Sequence, residues 1–357
     1  MYVYACLEDQ KKLKKLKDSD LTEIAEASCT KAMYSLTGDA MHIYGDGEPS
    51  SAIGKYRQST LSLEKQSPDY GGQIHVLVND DSYIYAGGAT ICRVKRYLKS
   101  DMSFIDESLS YGGTINALTQ DTVHLYVGGE VTQTVWKLLK SDLSKVAESS
   151  SYGGMICALA VDNDYIYVGG DTPKRIKKYL KSDLAYVAES ADLSNRLRSI
   201  ASDSEYIYTG GMTPYVVHKL LKSNLSKVAE SPAMDCWEMG ISKDYIYVTG
   251  WDQVYKLSKT DLSIVSQSQS YNQDYIEALW VGGMPSLPPP PVELPHYVLE
   301  VHEPNGGNLV CMLENAHNVK WSQRINELDT LTFSLPSGDP KAAELIGGRE
   351  IWLYRRS

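Results

Sequence analysis

The sequence predicts an all-β protein in which seven copies of one four-stranded unit close into a ring. Three observations predict it: a tyrosine that recurs at a near-constant period, turn residues that keep the same phase, and chain ends that complement each other. The tyrosines are Tyr4, Tyr44, Tyr85, Tyr126, Tyr167, Tyr208 and Tyr247, spaced 40, 41, 41, 41, 41 and 39 residues apart. Several sit in copies of one hexapeptide: Tyr83 to Gly88, Tyr165 to Gly170 and Tyr206 to Gly211 are near-identical, and His124 to Gly129 differs mainly by its histidine. The turn residues are Asp20, Thr60, Asp101, Asp142, Asp183, Asn224 and Asp261, each followed by Leu or Met. A third register, Tyr-Gly-Gly-x-Ile-x-Ala-Leu, occurs at 111–118 and 152–159.

Helical repeats also occur with periods near 40, so residue type has to decide. Tyr, Ile and Val dominate each unit, Gly pairs interrupt it, and no apolar stripe at helical spacing persists. The unit is therefore four short strands, exemplified by 156–161, 165–168, 175–180 and 185–189. Asp162-Asn163-Asp164 suits the first hairpin turn, because Asp and Asn tolerate left-handed backbone geometry. The Gly pair is expected to let the chain turn sharply after the second strand. Lys and Glu on the outermost strand are expected to keep that edge soluble. Successive apolar positions in the first two strands predict burial on both faces, between neighbouring blades. Four strands repeated radially at about 41 residues make a β-propeller. The chain opens in a second strand, and one spare first-strand segment, 275–281, follows Ser270. The last propeller strand is thus expected to complete the first blade, giving seven blades over residues 1–283.

The Ile-Tyr-Val-Gly-Gly ending of the second strand resembles the double glycine of kelch repeats, without the tryptophan expected later in each kelch unit. The Gly-His and Trp-Asp pairs of WD40 repeats are missing as well, so residues 1–283 are most similar to the divergent YVTN-like propellers. Residues 284–296 are Pro-rich and predict a semi-rigid extended linker. Residues 297–357 predict a short, truncated β-rich domain. Its strands are expected at 297–302, 308–313, 319–326, 328–335 and 350–354, with a hairpin at Pro304-Asn305-Gly306-Gly307 and a helix over 339–346. The segments Trp321 to Asn326, Leu331-Thr332-Phe333-Ser334-Leu335-Pro336 and Glu350 to Arg355 resemble the opening of siphophage baseplate-hub-like tail proteins. That resemblance implies a virion component that meets other tail proteins through this domain.

A net charge of −10 and a pI near 5.3 argue against nucleic-acid binding, which needs clustered Lys and Arg. The one basic run, Lys11 to Lys17, reads as a solvated strand and turn. No apolar run is long enough to span a bilayer, and the N-terminus lacks the regions of a secretory signal. The expected location is the phage tail or the cytoplasm. The six cysteines show no C-x-x-C pair or metal-ligand spacing, which fits a reducing environment, and no metal or cofactor is predicted.

No catalytic motif stands in a credible context. One register does vary. At the residue after the first strand's leading apolar position, the seven units carry Tyr34, His75, Asn116, Cys157, Arg198, Trp237 and Glu277. Innermost strands line a propeller's central channel, so these seven are the candidate ligand-binding ring. Arg198 and Glu277 would fix charge there, while Trp237 and Tyr34 would supply flat contact area. The expected function is non-enzymatic binding of a protein or glycan on the propeller face, as part of a phage tail. The alternatives are a general intracellular protein-interaction propeller and a polysaccharide-cleaving enzyme using Glu277. The last needs a second carboxylate that this register does not supply.

Overall fold

In the computed structural model the described residues are 1–29, 32–46, 51–282 and five strands beyond them. Among these residues the secondary structure is entirely β. The chain forms two compact units, Met1–Pro285 and Ser286–Ser357.

The first unit is a ring of seven four-stranded antiparallel sheets. From the axis outward, the fifth blade is Ile156–Val161, Tyr165–Gly170, Lys177–Leu180 and Tyr186–Glu189. The first blade is Ile276–Gly282, Tyr2–Leu7, Lys12–Lys17 and Glu23–Ser28. The closing strand therefore comes from the far end of the repeat, with Val3 opposite Val281 and Tyr4 opposite Trp280. Each innermost strand also touches the next one around the axis, including Ile276–Gly282 against Leu36–Gly38.

The core is divided among the blade interfaces. Ala117, Tyr126 and Val135 of the fourth blade pack on Ile156, Leu159, Ile166 and Tyr179 of the fifth. At the closure Tyr247 and Val254 pack the same way on Val3, Leu16 and Ile276. Second strands are buried at every position but the first, as in Tyr165–Gly170, save that Met212 at the end of the sixth blade's is partly exposed. Each large apolar side chain so enclosed contributes about 1.5–3 kcal/mol.

Polar bonds at the same interfaces join blade to blade. A third-strand lysine donates to a turn carbonyl of the following blade: Lys15 to Gln58, Lys55 to Lys99, Lys137 to Lys181, Lys178 to Lys222 and Lys219 to Lys259, at 2.6 to 3.0 Å. Arg96 does the same to Lys140, and Lys256 to Asp18, so seven bonds encircle the molecule. The aspartate of the first hairpin is a second hub. Asp162 accepts the backbone N–H groups of Asp164 and Tyr165, the hydroxyl of Tyr167 and the Nζ of Lys222 from the next blade.

The turn between third and fourth strands is strained in every blade. Leu21, Leu61, Met102, Leu143, Leu184, Leu225 and Leu262 all have φ between 55 and 61°. That conformation crowds the Cβ and costs roughly 1–2 kcal/mol per residue. Each of these side chains is at most 2% exposed, and the burial offsets the strain.

The Gly pair plays a different part from the one expected. It lies inside the second strand, and its φ angles are not left-handed. A Cβ on Gly128 would stand 2.5 Å from Ile156 of the next blade, and one on Gly129 would stand 1.9 Å from the Thr114 carbonyl oxygen. Close approach of the next blade's side chain at the first glycine and of backbone at the second, not turning, requires glycine here. The basic run faces carboxylates: Lys12 and Lys14 both pair with Glu26 of the adjacent outermost strand.

In the second unit Tyr297–His302 pairs on one side with Leu309–Met312 and on the other with Glu350–Arg355. His317–Ser322 pairs with Thr330–Ser334. The Pro-rich linker 284–296 and the expected helix over 339–346 lie outside the described residues.

Candidate binding site at the channel mouth

The seven candidate residues occupy irregular positions at the starts of the innermost strands. In the fourth blade Ile115 faces Gly129 and Ala117 faces Gly128, leaving Asn116 unopposed. His75, Cys157, Arg198 and Glu277 are skipped in the same manner. These are β-bulges, in which an extra residue leaves the ladder and its side chain is re-aimed. The glycine pairs give the bulged backbone room. In the seventh blade Trp237 donates its N–H to the Thr249 carbonyl and Glu238 accepts from the Thr249 N–H, so two residues oppose one. Tyr34 precedes the second blade's innermost strand, next to Ser35, whose N–H is held by the buried Asp46.

All seven line one cavity of about 400 Å³, together with Gln73, Glu130, Met155 and Glu238. Asn116, Cys157, Arg198 and Glu238 also line a chamber of about 380 Å³ deeper in the channel, where the walls include Leu36, Leu118, Ile200 and Trp280. A larger cleft of about 890 Å³ lies between the third and fourth blades, but Asp80, Arg96, Asp121 and Lys140 there are committed to blade-to-blade bonds.

The cavity is polarised around the ring. Arg198, Trp237 with Glu238, and Glu277 come from three consecutive blades. The Arg198 guanidinium lies 5.2 Å from the Trp237 ring centre, and its terminal nitrogen reaches the Met212 sulfur at 3.9 Å. Burial, the neighbouring Glu8 carboxyl and a hydrogen bond to it push Glu277 up to about 7, against a smaller opposing pull from Arg198. Glu238 is also raised to about 7, by protein enclosing it and by the charge of Glu277, although part of its surface stays accessible from the channel. On the other wall His75 Nδ1 lies 3.0 Å from Asn116 Oδ1. Burial raises the Cys157 thiol, with Arg198 pulling the other way.

Sequence reasoning missed Glu8 and Glu238, and the first had a readable signal. The residue four after each repeat tyrosine is Glu8, Glu48, Ala89, Glu130, Asp171, Met212 or Trp251, a second variable register. Glu130 lines the cavity, Asp171 pairs with Arg196 at 2.6 Å, and Trp251 lies 4.3 Å from Tyr275 between ring centres. The argument against an enzyme that only one carboxylate was at hand does not hold: Glu8 and Glu238 stand beside Glu277.

The fold defines the class: a seven-bladed β-propeller. Several solved structures superpose on it. A computationally designed protein, Ika8, superposes with a TM-score of 0.63 at 10% identity, over 79% of this chain and 91% of that one. The WD40 repeats of RRP9 superpose with a TM-score of 0.64 at 9% identity, over 77% and 88%. U3-55K gives 0.63 at 10% identity, over 71% and 85%. At such identity the likeness shows the fold alone. No family model matches the chain, and no curated protein matches it. Nothing in these comparisons supports the tail-protein resemblance of residues 297–357. Among the described residues, no helix is long and apolar enough to cross a membrane.

Proposed function

We propose that this chain is a non-enzymatic protein-interaction propeller that holds its partner at the channel mouth. One observation carries the reading: in an otherwise monotonous repeat, two registers vary freely, and members of both line a single cavity. A repeat built only for stability gains nothing from placing Tyr, His, Asn, Cys, Arg, Trp and Glu at equivalent positions. The WD40 repeats of RRP9 superpose on this fold, which favours an interaction scaffold. The hydrogen-bond contact between Glu8 and Glu277 brings those carboxyls closer than the roughly 5 Å that a glycosidase pair needs around its substrate, which weighs against hydrolysis by that pair.

The test uses the full chain against a random peptide display library and a glycan panel. Peptides should be recovered, should lose binding to an Arg198→Ala, Trp237→Ala variant, and should keep binding to an outermost-strand control, Tyr186→Ser. Binding to glycans alone, or peptide binding indifferent to the channel variant, overturns the reading.

A further inference from the structure

We infer that the channel mouth takes two oppositely charged side chains from one partner segment, the anion on Arg198 and the cation between Glu238 and Glu277. This rests on the partner-binding reading above and deepens it.

The charged groups in the cavity are not spent on salt bridges among the described residues, although Glu277 shares a hydrogen bond with Glu8. Arg198 enters no ion pair among the described residues; its guanidinium meets the Trp237 ring and the Met212 sulfur, and its Nε is enclosed without a hydrogen-bond partner. Two residues away, Arg196 differs in having a carboxylate, Asp171, at 2.6 Å. Arg198 is half-buried and lines the channel, so an incoming carboxylate gains a paired, charge-assisted hydrogen bond there. Glu238 and Glu277 likewise enter no ion pair among the described residues.

Blade order limits how far these groups neutralise each other, and Arg198 exerts only a smaller opposing pull on Glu277. Arg198 belongs to the sixth blade, Trp237 to the seventh and Glu277 to the first, so the indole that stacks on Arg198 comes between. The opposite wall, with His75, Asn116 and Cys157, offers neither carboxylate nor guanidinium, and Glu130 is the remaining charged group of the lining. A lone cation would meet repulsion from Arg198, and a lone anion would meet it from the three glutamates. A segment bearing both signs satisfies both sets, and the preference is one of specificity as much as affinity.

The experiment starts from peptides selected on the full chain. Those that depend on Trp237 should be enriched in Lys or Arg within three residues of Asp or Glu. In synthetic copies, neutralising either charge should weaken binding at least tenfold. Arg198→Gln should abolish the contribution of the peptide acid alone, and Glu277→Gln that of the peptide base alone. Arg198→Lys, which keeps the charge, should retain part of the acid's effect, and unchanged thermal unfolding shows that each variant is folded. Selected peptides that require the channel but carry one charge, or none that matters, overturn this inference and leave the channel-mouth reading standing. Failure to recover any channel-dependent peptide overturns both.

Discussion

The hydroxyl of Tyr247 donates to the carboxylate of Asp18, a residue from the first blade, although every other described hairpin tyrosine from the second to the sixth blade bonds an aspartate of its own blade. Ser242 stands in the seventh blade where those aspartates stand, and the first blade supplies the missing carboxylate across the closure. Asp18 also pairs with Lys256 at 3.4 Å and gives it a carbonyl acceptor. Replacing Asp18 by Ala should therefore cost roughly 2–3 kcal/mol, against about 1 kcal/mol for Tyr247→Phe. The midpoint of urea unfolding measures both, and equal small effects would show that the closure does not depend on this pair.

Leu184 sits at φ 61° with 2% of its surface exposed. Its replacement by Ala should cost about 3 kcal/mol through lost burial. Glycine normally costs about 0.5–1 kcal/mol more than alanine in regular structure, but here it also relieves the crowded Cβ. Leu184→Gly should thus be at least as stable as Leu184→Ala. A glycine variant that unfolds well before the alanine variant would show that the turn is not strained.

Gly170 leaves 1.9 Å between a notional Cβ and the Met155 carbonyl oxygen, which belongs to the backbone beside the bulge at Cys157. Gly170→Ala should cost about 3 kcal/mol or prevent folding, as overpacking against backbone does. Thermal unfolding reads the loss, and a change within a few tenths of a kcal/mol would mean that the bulge yields easily.

Glu277 has its folded pKa raised to about 7 from an ordinary 4.5. Between those values the folded protein holds more protons than the unfolded chain, so stability is fully present below pH 4.5 and declines as pH rises through 7. Glu277→Gln removes that decline. Relative to wild type the variant should gain roughly 1–2 kcal/mol between pH 4.5 and 8, after allowance for solvent screening. A gap independent of pH would place the carboxyl in an ordinary aqueous setting.

Asp39 runs the opposite way. Burial opposes ionisation, but Lys99 and the N–H groups of Met41 and His42 outweigh it and hold the carboxyl at about 2. Its stabilisation is present above the usual carboxylate range and is lost as pH falls towards 2. Lys99→Met should weaken this hub by roughly 1–2 kcal/mol at pH 7 and by little at pH 2. Curves that run parallel across that range would remove Lys99 from the account.

Much of this was legible in the chain. The tyrosine period, the turn residues and the spare strand at 275–281 were enough to fix blade number and closure, because each repeat records the same local geometry. The variable register was legible too, since a slot that packs against nothing invariant is free to differ. Lys178 looked like any strand lysine, however, and only its proximity to the next blade's carbonyl shows it as one link in an encircling set. Glu8 and Glu238 were overlooked for a related reason: one follows a strand in the first blade and the other shares a two-residue bulge in the seventh.

The sequence by itself determined the strands, their number and their order, since periodicity and turn chemistry act between residues near in the chain. Tertiary structure alone decided the rest. Ring closure brings residues hundreds of positions apart within bonding distance, and the bulges turn alternating side chains into a shared wall. Protein surrounding Glu238 and Glu277 then withdraws the water that would otherwise hold their charge, an effect no local pattern encodes.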